Sequence, residues 1–155
     1  MLLYEENAAR RSSVVWIKPT SAAQTTATTD PLVPPRSGHV LLVDEPGPFR
    51  ERAAAELAEA NLNVLQASDV YEALHLARRS EIELLAIGGD QRYQSGWRCA
   101  GKLCGRPPWR GVILYFAQVS DRDRLWTRVS QLTALVETNG QSEPLVSEIL
   151  RLSRP

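Results

Sequence analysis

The stretch His39–Leu57, HVLLVDEPGPFRERAAAEL, decides how the rest of the chain is read. His39-Val-Leu-Leu-Val43 is one continuous apolar run, the pattern of a strand buried on both faces of a parallel sheet. Asp44 and Glu45 end the run and prolines follow. Phe49, Ala53, Leu57 and Ala60 then recur at helical spacing through Asn61, which predicts an amphipathic helix.

The alternation continues to the C-terminus. Asn63 to Gln66 reads as a second strand. Ser68 or Asp69 can cap a second helix whose inner stripe is Val70, Ala73, Leu74 and Ala77. Glu83 to Ile87 is a third strand, followed by a helix from about Trp97 to Leu103. Val112 to Phe116 is a fourth strand, and the next helix, Asp121 to Leu132, carries Leu125, Val129 and Leu132 on one side. Ala134 to Glu137 makes a weaker fifth strand, and Leu145, Val146, Ile149, Leu150 and Leu152 mark a last helix. Strands alternating with helices demand right-handed crossovers, hence an α/β doubly wound, five-stranded parallel sheet. In such a sheet the functional crevice lies beyond the carboxyl ends of the strands.

Upstream the composition changes. Residues 1–37 contain one short apolar stretch, Val14-Val-Trp-Ile17, and then the low-complexity run TSAAQTTATTDPLVPPRSG. Thr, Ala and Pro in that proportion cannot pack a core, so residues 1–37 are expected to be a disordered, flexible arm and residues 38–155 the folded domain. Trp16 and its neighbours could serve as a short docking peptide. Eighteen basic and eighteen acidic residues cancel, which leaves no overall field for nucleic acid or an anionic membrane. No apolar run approaches a membrane span, and Glu5 and Glu6 stand where a signal peptide would be basic, so a cytoplasmic protein is expected. Cys99 and Cys104 are too few for a disulfide framework and lack zinc-ligand neighbours; two reduced thiols are expected.

VLLVDEPGPFRERAAAEL resembles the opening of CheY-like response-regulator receiver domains, in which an acidic pair follows the first strand. ASDVYEALHLA, residues 67–77, resembles their second helix, and Gly96 resembles the glycine after their phosphoacceptor loop. The likeness runs from about Gly38 to Arg154 and implies a flavodoxin-like fold. It also implies four chemical positions. The acidic pair that would hold magnesium matches as Asp44 and Glu45. The acceptor aspartate falls on Gly88, the Ser or Thr that senses the phosphoryl group on Phe116, and the Lys on Thr138, followed by Asn139 in place of proline. Without the carboxylate nucleophile phosphoryl transfer stops. The resemblance therefore implies a non-enzymatic pseudo-receiver, a phosphorylation-independent protein-binding module in bacterial signal transduction or transcriptional regulation. Magnesium at Asp44 and Glu45 is expected to bind weakly or vestigially, since a third carboxylate is missing.

Several alternatives stand beside this. Asp90, two residues past Gly88, is the substitute acceptor if the register shifts. Gly88-Gly89 reads as a tight positive-φ turn out of the strand. A flavodoxin-like small-molecule binder would need a phosphate cradle, and neither G-x-G-x-x-G nor G-x-x-x-x-G-K-[ST] occurs. His39 and His75 fit surface positions. The fourth-helix and fifth-helix face, the family's docking or dimer surface, would carry Arg122, Trp126, Arg128, Gln131 and Glu148. Trp126 fits either an exposed anchor or a core residue. A protein partner, or a second copy in a homodimer, would use that face. Arg106-Pro-Pro-Trp-Arg110 forms a basic aromatic loop that fits an acidic partner or a stiff connection; no direct nucleic-acid contact is expected overall.

Overall fold

The computed structural model describes residues 14–17 (backbone only), 39–92, 94–105 and 109–154. The elements run β1 (Val14–Ile17), β2 (His39–Val43), α1 (Pro48–Glu59), β3 (Asn63–Ala67), α2 (Val70–Arg79), β4 (Ile82–Gly88), α3 (Gly96–Cys104), β5 (Gly111–Phe116), α4 (Asp121–Val129), β6 (Ala134–Glu137) and α5 (Glu143–Ser153). Strands β3, β2, β4, β5 and β6 lie side by side in that order, all parallel. This is the five-stranded doubly wound sheet that the alternation of apolar runs requires.

The strands bury both faces because their side chains alternate with period two. Leu41, Val43, Leu85, Ile87, Leu114 and Phe116 pack with α2 and α3 on one side. Val40, Leu42, Leu84, Ala86, Ile113 and Tyr115 pack with α1 and α5 on the other. Removing a fully buried leucine such as Leu41 or Leu114 from water contributes about 1.5–3 kcal/mol.

Local signals place the helices. Asp69 caps α2, its Oδ1 accepting from the N–H groups of Tyr71 and Glu72 at 2.8 and 2.9 Å, a contribution of about 1 kcal/mol. At α4, Ser120 and Asp123 form a reciprocal capping box.

Three expectations need correction. Val14–Ile17, assigned to the arm, forms β1, a sixth strand antiparallel to β6; the outer edge of β6 offers unpaired backbone groups that an apolar stretch can satisfy. The remainder of residues 1–37 lies outside the described residues. Helix α4 ends at Val129, and Leu125 and Val129 are 62% and 76% exposed. The helix instead buries Thr127, whose hydroxyl donates to Asp123 O at 2.7 Å, and Leu132 reaches the core from the loop beyond. Finally, Gly88 and Gly89 do not adopt the left-handed positive φ expected; among the described glycines only Gly140 lies in that region. Their reason for being glycine is space, as the strand ends show.

Candidate functional site

The loops after β2, β4, β5 and β6 meet at one end of the sheet. Asp44 leaves β2 with its N–H donating to Ala67 O at 3.0 Å. Its Oδ1 accepts from the Glu45 N–H at 2.8 Å, and its Oδ2 accepts from the Tyr115 hydroxyl at 2.6 Å. Burial pushes the Asp44 carboxyl above its ordinary value, opposed by these two hydrogen bonds. The Tyr115 hydroxyl is pushed well above its usual range by burial and by the Asp44 charge. Tyr115 therefore remains a neutral donor, and Phe49 stacks on its ring with centroids 5.4 Å apart.

Gly88 ends β4 beside this pair. A Cβ there would lie 2.5 Å from Cγ of Asp44 and 2.6 Å from both carboxylate oxygens. The Asp44 carboxyl thus fills the space where a side chain at 88 would begin. At Gly89 a Cβ would sit 2.1 Å from the Phe116 ring, and at Gly96 one would meet Gly89 Cα at 2.4 Å and Gly88 O at 2.6 Å. Three glycines let a carboxyl, an aromatic ring and the start of α3 close on one turn.

Most of the remaining polar groups at this end are held by the fold, although the buried Nε of Arg50 has no hydrogen-bond partner. The Arg50 guanidinium donates through Nη1 to Asp44 O at 2.9 Å and to Ser68 Oγ at 3.3 Å. Gln91 Nε2 donates to Gly88 O at 2.8 Å, and the Arg92 N–H donates to Glu45 Oε1. Asp90 turns toward β5, where its Oδ2 accepts from the Ala117 N–H at 2.8 Å. Thr138 is buried, and its hydroxyl and N–H donate to Phe116 O at 3.1 and 2.8 Å. Phe116 is buried too, 6.4 Å from the Trp97 ring. Trp97 Nε1 donates to Asp123 Oδ1 at 2.8 Å, tying α3 to the start of α4.

Each carboxylate at this end already accepts a hydrogen bond from the protein. The Asp44 oxygens are taken by Tyr115 and the Glu45 N–H, Glu45 holds the Arg92 N–H, and Asp90 holds the Ala117 N–H. Among the described residues no three His, Cys, Asp or Glu side chains come together as a metal's ligands. Cation sites of this kind need several oxygen ligands free to converge.

The solved structures with this arrangement of elements point one way. The Vibrio cholerae chemotaxis protein CheY4 superposes with a TM-score of 0.67 at 17% identity, over 74% of this chain and 98% of that one. The fold is that of the CheY-like receiver domains. The receiver domain of Leptospira biflexa HemR matches with a TM-score of 0.66 at 17% identity, covering 76% and 98% of the two chains. The Thermotoga maritima response regulator TrrA, solved with magnesium and beryllium fluoride, gives 0.61 at 22% identity over 74% and 98%. No family model and no curated protein matches this sequence.

On the receiver fold the sequence-predicted positions divide. Asp44, Gly88, Phe116 and Thr138 converge at the strand ends; Glu45 and Asp90 sit in the same loops but point to backbone N–H groups. On the predicted interaction face, Arg122, Trp126, Arg128 and Gln131 are exposed, Trp126 by 48%. Glu148 is not part of that face: it is 2% exposed, and Arg151 covers it with hydrogen bonds of 2.9 and 2.6 Å to the two carboxylate oxygens. The resemblance to the family's docking face had put it there, but α5 turns Leu145, Glu148 and Ile149 inward together. In the basic aromatic loop, Trp109 Nε1 donates to Leu103 O at 2.7 Å and Arg110 Nη2 to Arg154 O at 2.6 Å, so both serve the domain itself. Residues 106–108 lie outside the described residues. His75 is exposed and His39 half-buried. Cys99 and Cys104 are free thiols; burial pushes Cys99 up to about 11, far from a reactive thiolate.

Tyr115 and Arg50 were not singled out from the sequence. Tyr115 sits inside an apolar run, and only the alternation of faces places its hydroxyl toward Asp44, opposite to Phe116.

Proposed function

We propose that this chain is a pseudo-receiver, a protein-binding module of bacterial signalling or transcriptional control that works without accepting a phosphoryl group. The reading rests on one observation: the Asp44 carboxyl, held by Tyr115, occupies the space in which a nucleophile at residue 88 would stand. A phosphoryl acceptor needs a carboxylate, a cation and a charge partner together. Gly88 offers no carboxylate, Phe116 no hydroxyl and Thr138 no cation. Asp90, the substitute acceptor, is held by the Ala117 N–H.

The receiver fold and the exposed apolar residues of α4 support the binding role. Leu125, Trp126 and Val129 are large and solvent-facing, with Arg122 and Arg128 beside them. Exposed Trp with Arg is what protein interfaces concentrate. The partner is a protein, or a second copy of the chain, docking on that face.

The test is incubation of the chain with acetyl phosphate and magnesium, followed by intact-mass spectrometry. No added phosphoryl mass is expected. An acid-labile adduct would refute the reading, and its mapping to Asp90 would identify a shifted acceptor. Calorimetry is expected to find magnesium binding in the millimolar range or weaker; micromolar binding would contradict the account of Asp44 and Glu45.

A further inference from the structure

The sheet holds one strand out of keeping with the rest. β1 is antiparallel where every other pair is parallel, and it sits outside β6 at the end of the sheet. Its register is Val14 with Val136, Trp16 with Leu135 and Ile17 with Ala134, with an irregularity between Val14 and Trp16. Apart from β6 it meets α4, the helix that leaves Leu125, Trp126 and Val129 in solvent even with β1 in place. Residues 18–38 separate it in sequence from β2, which lies on the far side of β4 and β5.

From this we infer that the outer edge of β6 is a docking site for an extended apolar partner segment, and that β1 is its tethered, displaceable occupant. The chemistry of the site is main-chain pairing: an edge strand presents a row of N–H and C=O groups, and an added strand satisfies them. The resident strand, Val-Val-Trp-Ile, defines the ligand class as β-branched and aromatic, run antiparallel to β6. Four residues with an irregular register form a weak strand, whose hold on the edge depends on its covalent connection. Covalent attachment through residues 18–38 gives β1 an effective concentration on the order of millimolar. A partner that adds a strand and also covers the exposed α4 residues buries surface that β1 leaves open, which is how it displaces β1.

The inference rests on the protein-binding reading above but is tested apart from it. A fluorescently labelled peptide copying residues 12–18, SSVVWIK, is titrated into the full-length chain and into two full-length variants, Trp16→Pro and Trp16→Asp, at the residue paired with Leu135, each checked for retained fold by circular dichroism. Proline removes a backbone donor and aspartate disfavours a strand, so both release the edge. The variants are expected to bind the peptide roughly ten-fold or more tightly than the wild type, because no tethered competitor remains. The amide of Leu135, on the β1 side of β6, is expected to exchange faster in the variants and to be re-protected by peptide. Equal affinity for all three chains overturns the idea that β1 covers the site. Folded variants that leave millimolar peptide unbound overturn the edge as a strand acceptor. A phosphoryl adduct on the chain would refute the pseudo-receiver reading and leave this comparison intact.

Discussion

The hydroxyl of Tyr115 donates to Oδ2 of Asp44 at 2.6 Å, across the intervening strand β4, and so fixes the carboxyl against the backbone of Gly88. Tyr115→Phe keeps the ring and its stacking on Phe49 but leaves a half-buried carboxylate short of a donor. A loss of about 1–3 kcal/mol in urea denaturation is expected, the cost of an unpaired buried acceptor. In Asp44→Asn the same tyrosine change is expected to cost less, a coupling that a double-mutant cycle measures.

Acid titration of stability should separate two aspartates by sign. Burial holds the Asp44 pKa above 3.8, so the folded state binds its proton more tightly than the unfolded state. Its contribution is fully present below the unfolded value and is lost as pH rises through the raised folded value. Asp123 is the reverse: burial raises it, but hydrogen bonds from Ser120 and Trp97 outweigh burial and lower it below 3.8. That contribution is present above the unfolded value and disappears as pH falls through the folded one. Asp44→Asn is therefore expected to lose stability relative to wild type as the solution is acidified, and Asp123→Asn to gain relative to wild type. Denaturation midpoints across the acid range check both.

Gly88→Ala is expected to destabilise by about 1–3 kcal/mol, the usual range for overpacking, because its Cβ would displace the Asp44 carboxyl from Tyr115. Gly88→Asp is expected to fold less stably than wild type without metal and to regain stability as magnesium is added, since three carboxylates would then share the site. Thermal melts with and without magnesium decide it; a magnesium-independent melting point for Gly88→Asp would contradict the placement of residue 88.

The Phe116 ring fills the space over Gly89. Gly89→Ala is expected to be poorly tolerated alone and partly rescued by Phe116→Leu, a non-additive pair. If the ring also holds the α4 face in one arrangement, Phe116→Thr and Phe116→Leu will change partner affinity by different amounts at matched stability. Affinity that follows stability equally in both variants would reduce Phe116 to a packing residue.

The sheet, its helices and the strand-end location of the site were legible because buried parallel strands write continuous apolar runs, and Asp44 ends one of them. The Tyr115–Asp44 contact was not legible: it joins residues 71 apart in sequence, and nothing local to Tyr115 distinguishes its hydroxyl from solvent-facing ones. β1 was hidden by its surroundings, since four apolar residues within a polar arm carry no periodic signal. In α4 the apolar spacing of Leu125 and Val129 suggested an inward stripe, while the side chain that turns inward is Thr127. Helical spacing says which residues share a face, not which way the face points.

Helix α4 buries one side chain, Thr127, and is fastened at its first turn by Ser120, Asp123 and Trp97. Substitutions at Leu125, Trp126 and Val129 consequently touch almost nothing that folds the domain. With α4 as the proposed docking face, mutation can rewrite what the helix recognises without eroding the core, and binding specificity and foldability are then separable traits, free to diverge under different selection.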